Sequence, residues 1–360
     1  MSLEGRSLIR VDDFSAAEIQ HVLNVAGRMQ EKITSRQTLL AGRILATAFF
    51  EPSTRTRLSF ESAMQRLGGG VIGFADASTS SAVKGETLAD TARIIESYAD
   101  VIVMRHPLEG SAKVAADYAT KPIINAGDGG HQHPTQTLTD LFTIQRARGE
   151  INGVHIGLCG DLRFGRTVHS LLSALRHYQV KVTCIAPESL QLPERYRPEG
   201  ATLERVEQVE GVLPELDVLY VTRIQRERFP DASEYEAVKG SYVIDAHLLE
   251  RSKPELLVMH PLPRVDEIAY NVDPDRRAAY FGQARYGVPV RMALLALLLG
   301  AEPSDGVAPP PPHTEPVDAE PRCPNPDGAN RVESYTTPQM LVLDGDRRRC
   351  LYCDMELQAG

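Results

Sequence analysis

No apolar run in this 360-residue chain approaches the length of a membrane-spanning helix; the longest, Met292 to Leu299, is far shorter than the roughly 20 residues a bilayer requires. The opening stretch, MSLEGRSLIR, lacks the apolar core of a secretory signal. A basic excess is missing too: the formal charge is −9, which argues against a general nucleic-acid binder and leaves room only for a local basic pocket. There is no disulfide framework either. Of five cysteines, Cys159 and Cys184 lie in apolar stretches while Cys323, Cys350 and Cys353 cluster near the end, a usage that suits a reducing cytoplasm.

What is present is an alternation of strand-like and helix-like patterns. The first helix announces itself: Ser15 and Glu18 form a capping box, Phe14 and Ile19 occupy the staple positions, and Ile19, Val22, Leu23, Ala26 and Met29 make the apolar stripe. Buried strands are expected at 44–50, 101–104, 122–125, 154–159, 181–186, 218–222, 242–245 and 256–259, with helices over 54–67, 134–148 and 166–178 and an apolar closing helix at 289–300. Alternation of this kind means parallel sheets covered by helices. The fold class is α/β: two doubly wound parallel-sheet domains, residues 1–134 and 135–288, joined by interdomain helices, with 289–300 packing back on the first. A Pro-rich linker, 301–322, then leads to a small Cys-containing unit, 323–360.

Ligands of open parallel sheets bind beyond the carboxyl ends of the strands, and those ends repeatedly carry Arg, His, Thr, Ser and Gln. Ser53-Thr54-Arg55-Thr56-Arg57 follows a buried strand and opens a helix, where free N–H groups, hydroxyls and the Arg55 fork make a phosphate cradle. It is not a Walker loop, since the glycines and the Lys-Ser/Thr ending are absent. Arg105 stands at another strand end. A glycine-rich loop, 125–132, leads to His133 and Gln136 at the start of a helix; no carboxylate or cysteine stands at zinc-like spacing from the histidines, so they read as hydrogen-bonding groups. The stretch Gly157–Arg166 has the wrong glycine spacing for a dinucleotide site. Thr222–Arg228 and His260-Pro261-Leu262-Pro263-Arg264 close two further strands, and 76–86 is a small polar loop whose one cation is Lys84. Arginines without an evident nucleophile, catalytic carboxylate or metal point to anionic small molecules handled by positioning and charge stabilisation.

These motifs resemble the aspartate and ornithine carbamoyltransferases. Ser53–Arg57 and His133-Pro134-Thr135-Gln136 are similar to the family's two carbamoyl phosphate motifs, and the resemblance runs in order over about residues 1–300. Val83-Lys84-Gly85-Glu86-Thr87, Thr222–Gln225 and Pro261, where ornithine enzymes carry a cysteine, indicate the aspartate branch. The resemblance implies carbamoyl transfer to aspartate, the committed step of pyrimidine biosynthesis, without a catalytic cofactor. It implies that Ser53, Thr54, Arg55, Thr56 and Arg105 hold the phosphate. Thr56, Arg105 and His133 would address the carbonyl oxygen, while Gln136 and the Leu262 and Pro263 carbonyls hold the carbamoyl amino group. Arg166, Arg223 and Gln225 would bind the aspartate carboxylates. Ser80 and Lys84 would reach in from a neighbouring chain, making the catalytic unit a homotrimer. Alternatives are a carbamoyltransferase for another amine and an inactive scaffold homologue.

The segments Cys323-Pro324-Asn325 and Cys350-Leu351-Tyr352-Cys353 resemble the zinc-binding domain of the family's separate regulatory chain, with Gly328 where a second cysteine is expected. Three thiolates with Asp327 or water would complete a tetrahedral structural zinc site. The tail is too short to include that chain's nucleotide-binding domain, so it is expected to act as a fused assembly element bridging trimers.

Overall fold

The capping box forms as expected: Ser15 Oγ accepts from the Glu18 amide at 3.1 Å, and Glu18 accepts from the Ser15 amide at 2.9 Å. Helix α1 (Ala16–Glu31) then buries the stripe Ile19, Val22, Leu23, Ala26 and Met29. The computed structural model describes residues 2–358 apart from 36, 198–202, 227–228, 230, 305, 311–315, 319–321 and 344–346. Glu227 and Arg228 of the Thr222–Arg228 stretch, and much of the linker, therefore lie outside the described residues.

After α1 come β1 (Ile44–Phe49), α2 (Thr54–Arg66), β2 (Gly70–Phe74), α3 (Leu88–Glu96), β3 (Val101–His106), α4 (Ser111–Tyr118), β4 (Ile123–Asp128) and α5 (Pro134–Arg148). The next elements are β5 (His155–Cys159), α6 (Arg166–Leu175), β6 (Lys181–Ile185), β7 (Leu203–Val206), β8 (Val218–Val221), α7 (Ala232–Val238), α8 (Ala246–Leu249), β9 (Leu257–Met259) and α9 (Tyr280–Leu298). The tail adds β10 (Val317–Asp318), α10 (Ala329–Val332), β11 (Gln339–Val342), β12 (Arg347–Cys350) and β13 (Glu356–Gln358). No helix among the described residues is long and apolar enough to cross a membrane.

The chain divides into two units, one of residues 1–138 and 287–360, the other of residues 139–286. The cuts fall inside α5 and α9, a few residues from the expected borders, because each helix runs from one unit into the other. In the first unit a fully parallel sheet has the order β2-β1-β3-β4. In the second, also fully parallel, the order is β7-β6-β5-β8-β9. Each order reverses direction once, between β1 and β3 and between β5 and β8. A reversal splays the connecting loops apart beyond the strand ends and opens a ligand crevice there.

Several expectations need correction. Residues 242–245 are not a strand; Ile244 makes a single bridge to Ile268. The closing helix begins at Tyr280 rather than 289, with Pro289 inside it. Gly287 and Pro289 read as a break, yet buried Tyr280, Gln283 and Arg291 anchor the helix on both sides of them. The small Cys-containing region at the end is present as expected, and it packs on the first unit. Its antiparallel sheet, β10-β11-β12-β13, belongs with the first unit, and Cys323, Met340, Cys350, Tyr352 and Cys353 share a core with Met104, Ala112 and Ala115. The linker does not start free: Glu302 pairs with Arg28 at 2.8 Å, Ser304 Oγ accepts from the Leu3 amide at 2.7 Å, and the Pro303 carbonyl meets His21 at 2.9 Å.

Candidate active site

The motif after β1 enters α2 with Ser53 as the N-cap, in extended conformation and with its hydroxyl uncommitted to capping. The first turn of α2 contains no acidic residue. Helix N-termini normally attract acidic side chains, because their free N–H groups and dipole end are positive; here the first turn holds Arg55 and Arg57 instead. Arg57 is satisfied by Glu61 one turn on, at 2.8 Å. Arg55 is different: burial and then the charge of Arg105 both disfavour its protonated form. Arg105, at the end of β3, donates to Glu51 at 2.6 Å and has a buried Nε without a partner. Two guanidiniums and a helix N-terminus thus converge at the β1/β3 reversal, an arrangement that an anion would stabilise. Thr56, in the same turn as Arg55, is buried.

His106, next to Arg105, is pushed down to about 4 by burial, against the pull of Asp128 and Glu51. The folded protein refuses a proton that the unfolded chain accepts near pH 6.5. Stability is therefore lost as pH falls from about 6.5 towards about 4, with His106 contributing about 2 kcal/mol at pH 5. Denaturant titrations at pH 7 and pH 5 should show a drop about that much smaller in His106→Gln; equal drops would refute the assignment.

The loop from β4 to α5 is built on Asp128. Its carboxylate accepts from Asn125 Nδ2 at 2.8 Å, from the Gly110 amide at 2.8 Å and from the Gln132 amide at 3.1 Å, and meets His131 Nδ1 at 2.9 Å. Gly129, at φ +51°, has no room for a side chain, since a Cβ there would stand 2.7 Å from the Pro107 carbonyl. This packing delivers His133, buried, to the start of α5, with Thr135 Oγ1 at 3.5 Å from its Nδ1 and Gln136 one turn further.

The second unit repeats the plan at its own reversal. Gly160, at φ +112°, lets β5 approach β8 so closely that a Cβ would sit 2.3 Å from the Thr222 carbonyl. Asp161 accepts from the Phe164 amide at 2.9 Å and from the Gln225 amide at 3.5 Å, while Gln225 Nε2 donates to the Phe164 carbonyl at 3.3 Å. Asp161 thereby ties the loop carrying Arg166 to the loop carrying Arg223 and Gln225. Burial raises its carboxyl, opposed by those amides. After β9, His260 donates its amide to Gln283 at 2.9 Å and pairs with Glu267 at 2.6 Å, while its Nδ1 takes the Leu262 amide at 2.7 Å. Leu262, at φ +55°, leads into a cis bond to Pro263. Burial pushes Glu267 up, but the His260 bond prevails and holds it low.

The first unit therefore brings Arg55 and Arg105 together, and the second gathers Arg166, Arg223 and Gln225 on tied loops. Ser80 and Lys84 join neither group. They lie on two ordered 3-10 turns, Ala77–Thr79 and Ser81–Lys84, where Ser80 Oγ donates to the Ala77 carbonyl at 2.8 Å. Lys84 is exposed and has no hydrogen bond or ion pair among the described residues. Sequence reasoning passed over Glu51, Asp128 and Asp161, the acids that aim these groups. The signal for Asp161 lay inside the glycine motif weighed only as a dinucleotide site.

In the tail, the Sγ atoms of Cys323, Cys350 and Cys353 lie within 4.8 Å of one another, all three residues buried. Cys323 and Cys353 are 3.7 Å apart at sulfur, too far for a disulfide. Thiolates on a tetrahedral zinc with Zn–S near 2.3 Å stand about 3.8 Å apart, so the spacing fits. Hydrogen bonding within the triad and burial push the Cys350 thiol up to about 11, so a cation would be needed to hold all three as thiolates. Asp327 does not belong to this cluster; the Met355 thioether does approach it, 3.9 Å from Cys323 Sγ.

Comparison with known proteins bears directly on this geometry. Residues 6–146 match the model of the aspartate/ornithine carbamoyltransferase carbamoyl-P binding domain, and residues 152–298 that of the Asp/Orn binding domain. The aspartate carbamoyltransferase catalytic subunit of Thermococcus gammatolerans is 58% identical over 306 residues, covering 83% of this chain and 99% of that one. Among solved structures, Trypanosoma cruzi aspartate transcarbamoylase with carbamoyl phosphate and aspartate superposes at TM-score 0.79 and 44% identity, over 82% of this chain and 98% of that one. The M. jannaschii aspartate transcarbamoylase catalytic subunit does so at TM-score 0.77 and 50% identity, over 82% and 98%.

Proposed function

The chain belongs to the aspartate/ornithine carbamoyltransferase family, and from that premise we propose that it transfers the carbamoyl group of carbamoyl phosphate to the amino group of L-aspartate, releasing phosphate. The observation that carries this reading is the acid-free helix terminus at the β1/β3 reversal, where Arg55 stands against a second guanidinium. Ser53, Thr54, Arg55, Thr56 and Arg105 bind the phosphate. Arg105, Thr56 and a neutral His133 donate to the carbonyl oxygen as negative charge builds on it; donors held in place beforehand are worth roughly 3–4 kcal/mol each at such a position. Gln136 takes the carbamoyl amino group, and the Leu262 and Pro263 carbonyls are acceptors of the kind that group needs. Arg166, Arg223 and Gln225 hold the aspartate carboxylates. The amine attacks the carbonyl carbon, the carbon–oxygen bond to phosphate breaks, and the leaving phosphate takes the proton. Positioning two bound reactants supplies about 7–11 kcal/mol in favourable cases, so no catalytic cofactor is required.

The working unit is a homotrimer in which Ser80 and Lys84 serve a neighbouring copy, a reading supported by their ordered, outward turn. Five free, buried cysteines fit a cytoplasmic enzyme. Cys323, Cys350 and Cys353 would hold a structural zinc, and the tail joins trimers only through faces its own first unit leaves uncovered. Titration calorimetry with N-(phosphonacetyl)-L-aspartate, the ligand of another Trypanosoma cruzi structure, tests the central reading. Tight binding to the wild type that is lost in both Arg55→Ala and Arg223→Ala is expected; no binding by the folded wild type would sink it.

A further inference from the structure

The tail reaches the glycine-rich loop before His133 by two routes, directly at His131 and by way of Glu109 at Gly130, and both start beside members of the cysteine triad. Immediately after Cys353, Asp354 meets His131 Nε2 at 2.8 Å with one carboxylate oxygen and accepts from Arg10 Nη1 at 2.9 Å with the other. The other ring nitrogen of His131 is bound to Asp128, so the imidazole is clamped between a loop acid and a tail acid. Two residues after Cys323, Asn325 Nδ2 donates to Glu109 Oε2 at 2.7 Å, and Glu109 Oε1 accepts from the Gly130 amide at 3.2 Å. The backbone closes the same seam: the Glu109 amide donates to Asp327 at 2.8 Å, and the Ala329 amide donates to Glu109 at 2.7 Å. There is no slack at the dock, since a Cβ on Gly110 would lie 2.7 Å from the Tyr352 backbone.

His131 is 2% exposed and takes no part in the reaction described above. A buried ring held by two carboxylates fixes the loop; removing one partner leaves the remaining polar groups unsatisfied and the loop free to shift. A small misplacement of a positioned donor is enough to cost catalysis heavily.

We infer that Asp354 and Asn325 are positioning residues for carbamoyl phosphate, acting from the tail of the same chain through His131 and Gly130 on the loop that presents His133 and Gln136. The tail is then a part of the carbamoyl phosphate site and not an appendage to it. This rests on the proposed function, and turnover by the wild type tests that first: without it the functional reading fails, and this inference with it.

Given turnover, the full-length variants Asp354→Asn, Asp354→Ala and Asn325→Ala are compared by steady-state kinetics. The expected result is a KM for carbamoyl phosphate raised about tenfold or more in Asp354→Ala, with the KM for aspartate within about twofold of wild type. Asp354→Asn, which keeps the shape and one hydrogen bond, should lie between. Because Asp354→Ala could misfold, Asn325→Ala reports on the second contact alone, and an NMR signal of the His131 ring should move in Asp354→Asn. Unchanged carbamoyl phosphate KM in folded variants would overturn the inference. So would a uniform loss of both substrates' parameters together with thermal stability, which is the mark of a merely structural role.

Discussion

Replacing Arg55 with alanine is expected to lower kcat/KM for carbamoyl phosphate by about a thousandfold, roughly 4 kcal/mol of lost transition-state stabilisation. The residue is only partly buried in the first turn of α2, and no ion pair to it is present among the described residues, so the variant should unfold at nearly the wild-type temperature. The effect is large because a charged fork is removed from the helix end, and the other arginine of that turn, Arg57, is engaged by Glu61. Arg55→Lys should recover little, since a point charge does not reproduce a two-pronged grip on phosphate. Steady-state kinetics beside a thermal melt would check both halves of the claim.

Arg105→Ala is expected to cost at least as much, about 10³-fold or more, and to do so mainly in kcat. Arg105 is proposed to serve both the phosphate and the carbonyl oxygen, and the second interaction strengthens only as charge develops. Unlike Arg55, it is mostly buried, and its loss removes the ion pair with Glu51. A measurable fall in stability should accompany the kinetic defect. The double variant should fall short of the summed losses, because both residues grip one phosphate and each raises the other's electrostatic cost. Full additivity would mean that the two act on separate groups.

The parts of this site that were legible in the sequence are those that chemistry packs into one short stretch. Ser53–Arg57 could be read because strand, cap, hydroxyls and arginines are contiguous, and the capping box of α1 because its geometry is local. Strand β2 was missed because it begins in Gly68-Gly69-Gly70 and is an edge strand with little buried surface. Helix α3 and helix α4 were missed because short amphipathic stretches between strands look like loops until a sheet supplies their other face. How the tail docks on the first unit is hidden for a different reason. Its docking depends on Arg10 with Asp354 and Glu109 with Asn325, pairs hundreds of residues apart that no periodicity connects. Asp128 and Asp161 were visible as letters, but only the folded loops show which amides each carboxylate collects.

The most direct measurement is to mix the purified full-length chain with [13C]carbamoyl phosphate and follow the 13C spectrum, with L-aspartate in one tube and L-ornithine in another. A new ureido carbon resonance appearing with phosphate in the aspartate tube alone, and absent for Arg55→Ala, is the expected result. The same resonance with ornithine, or none with aspartate from a folded protein, would contradict the assignment.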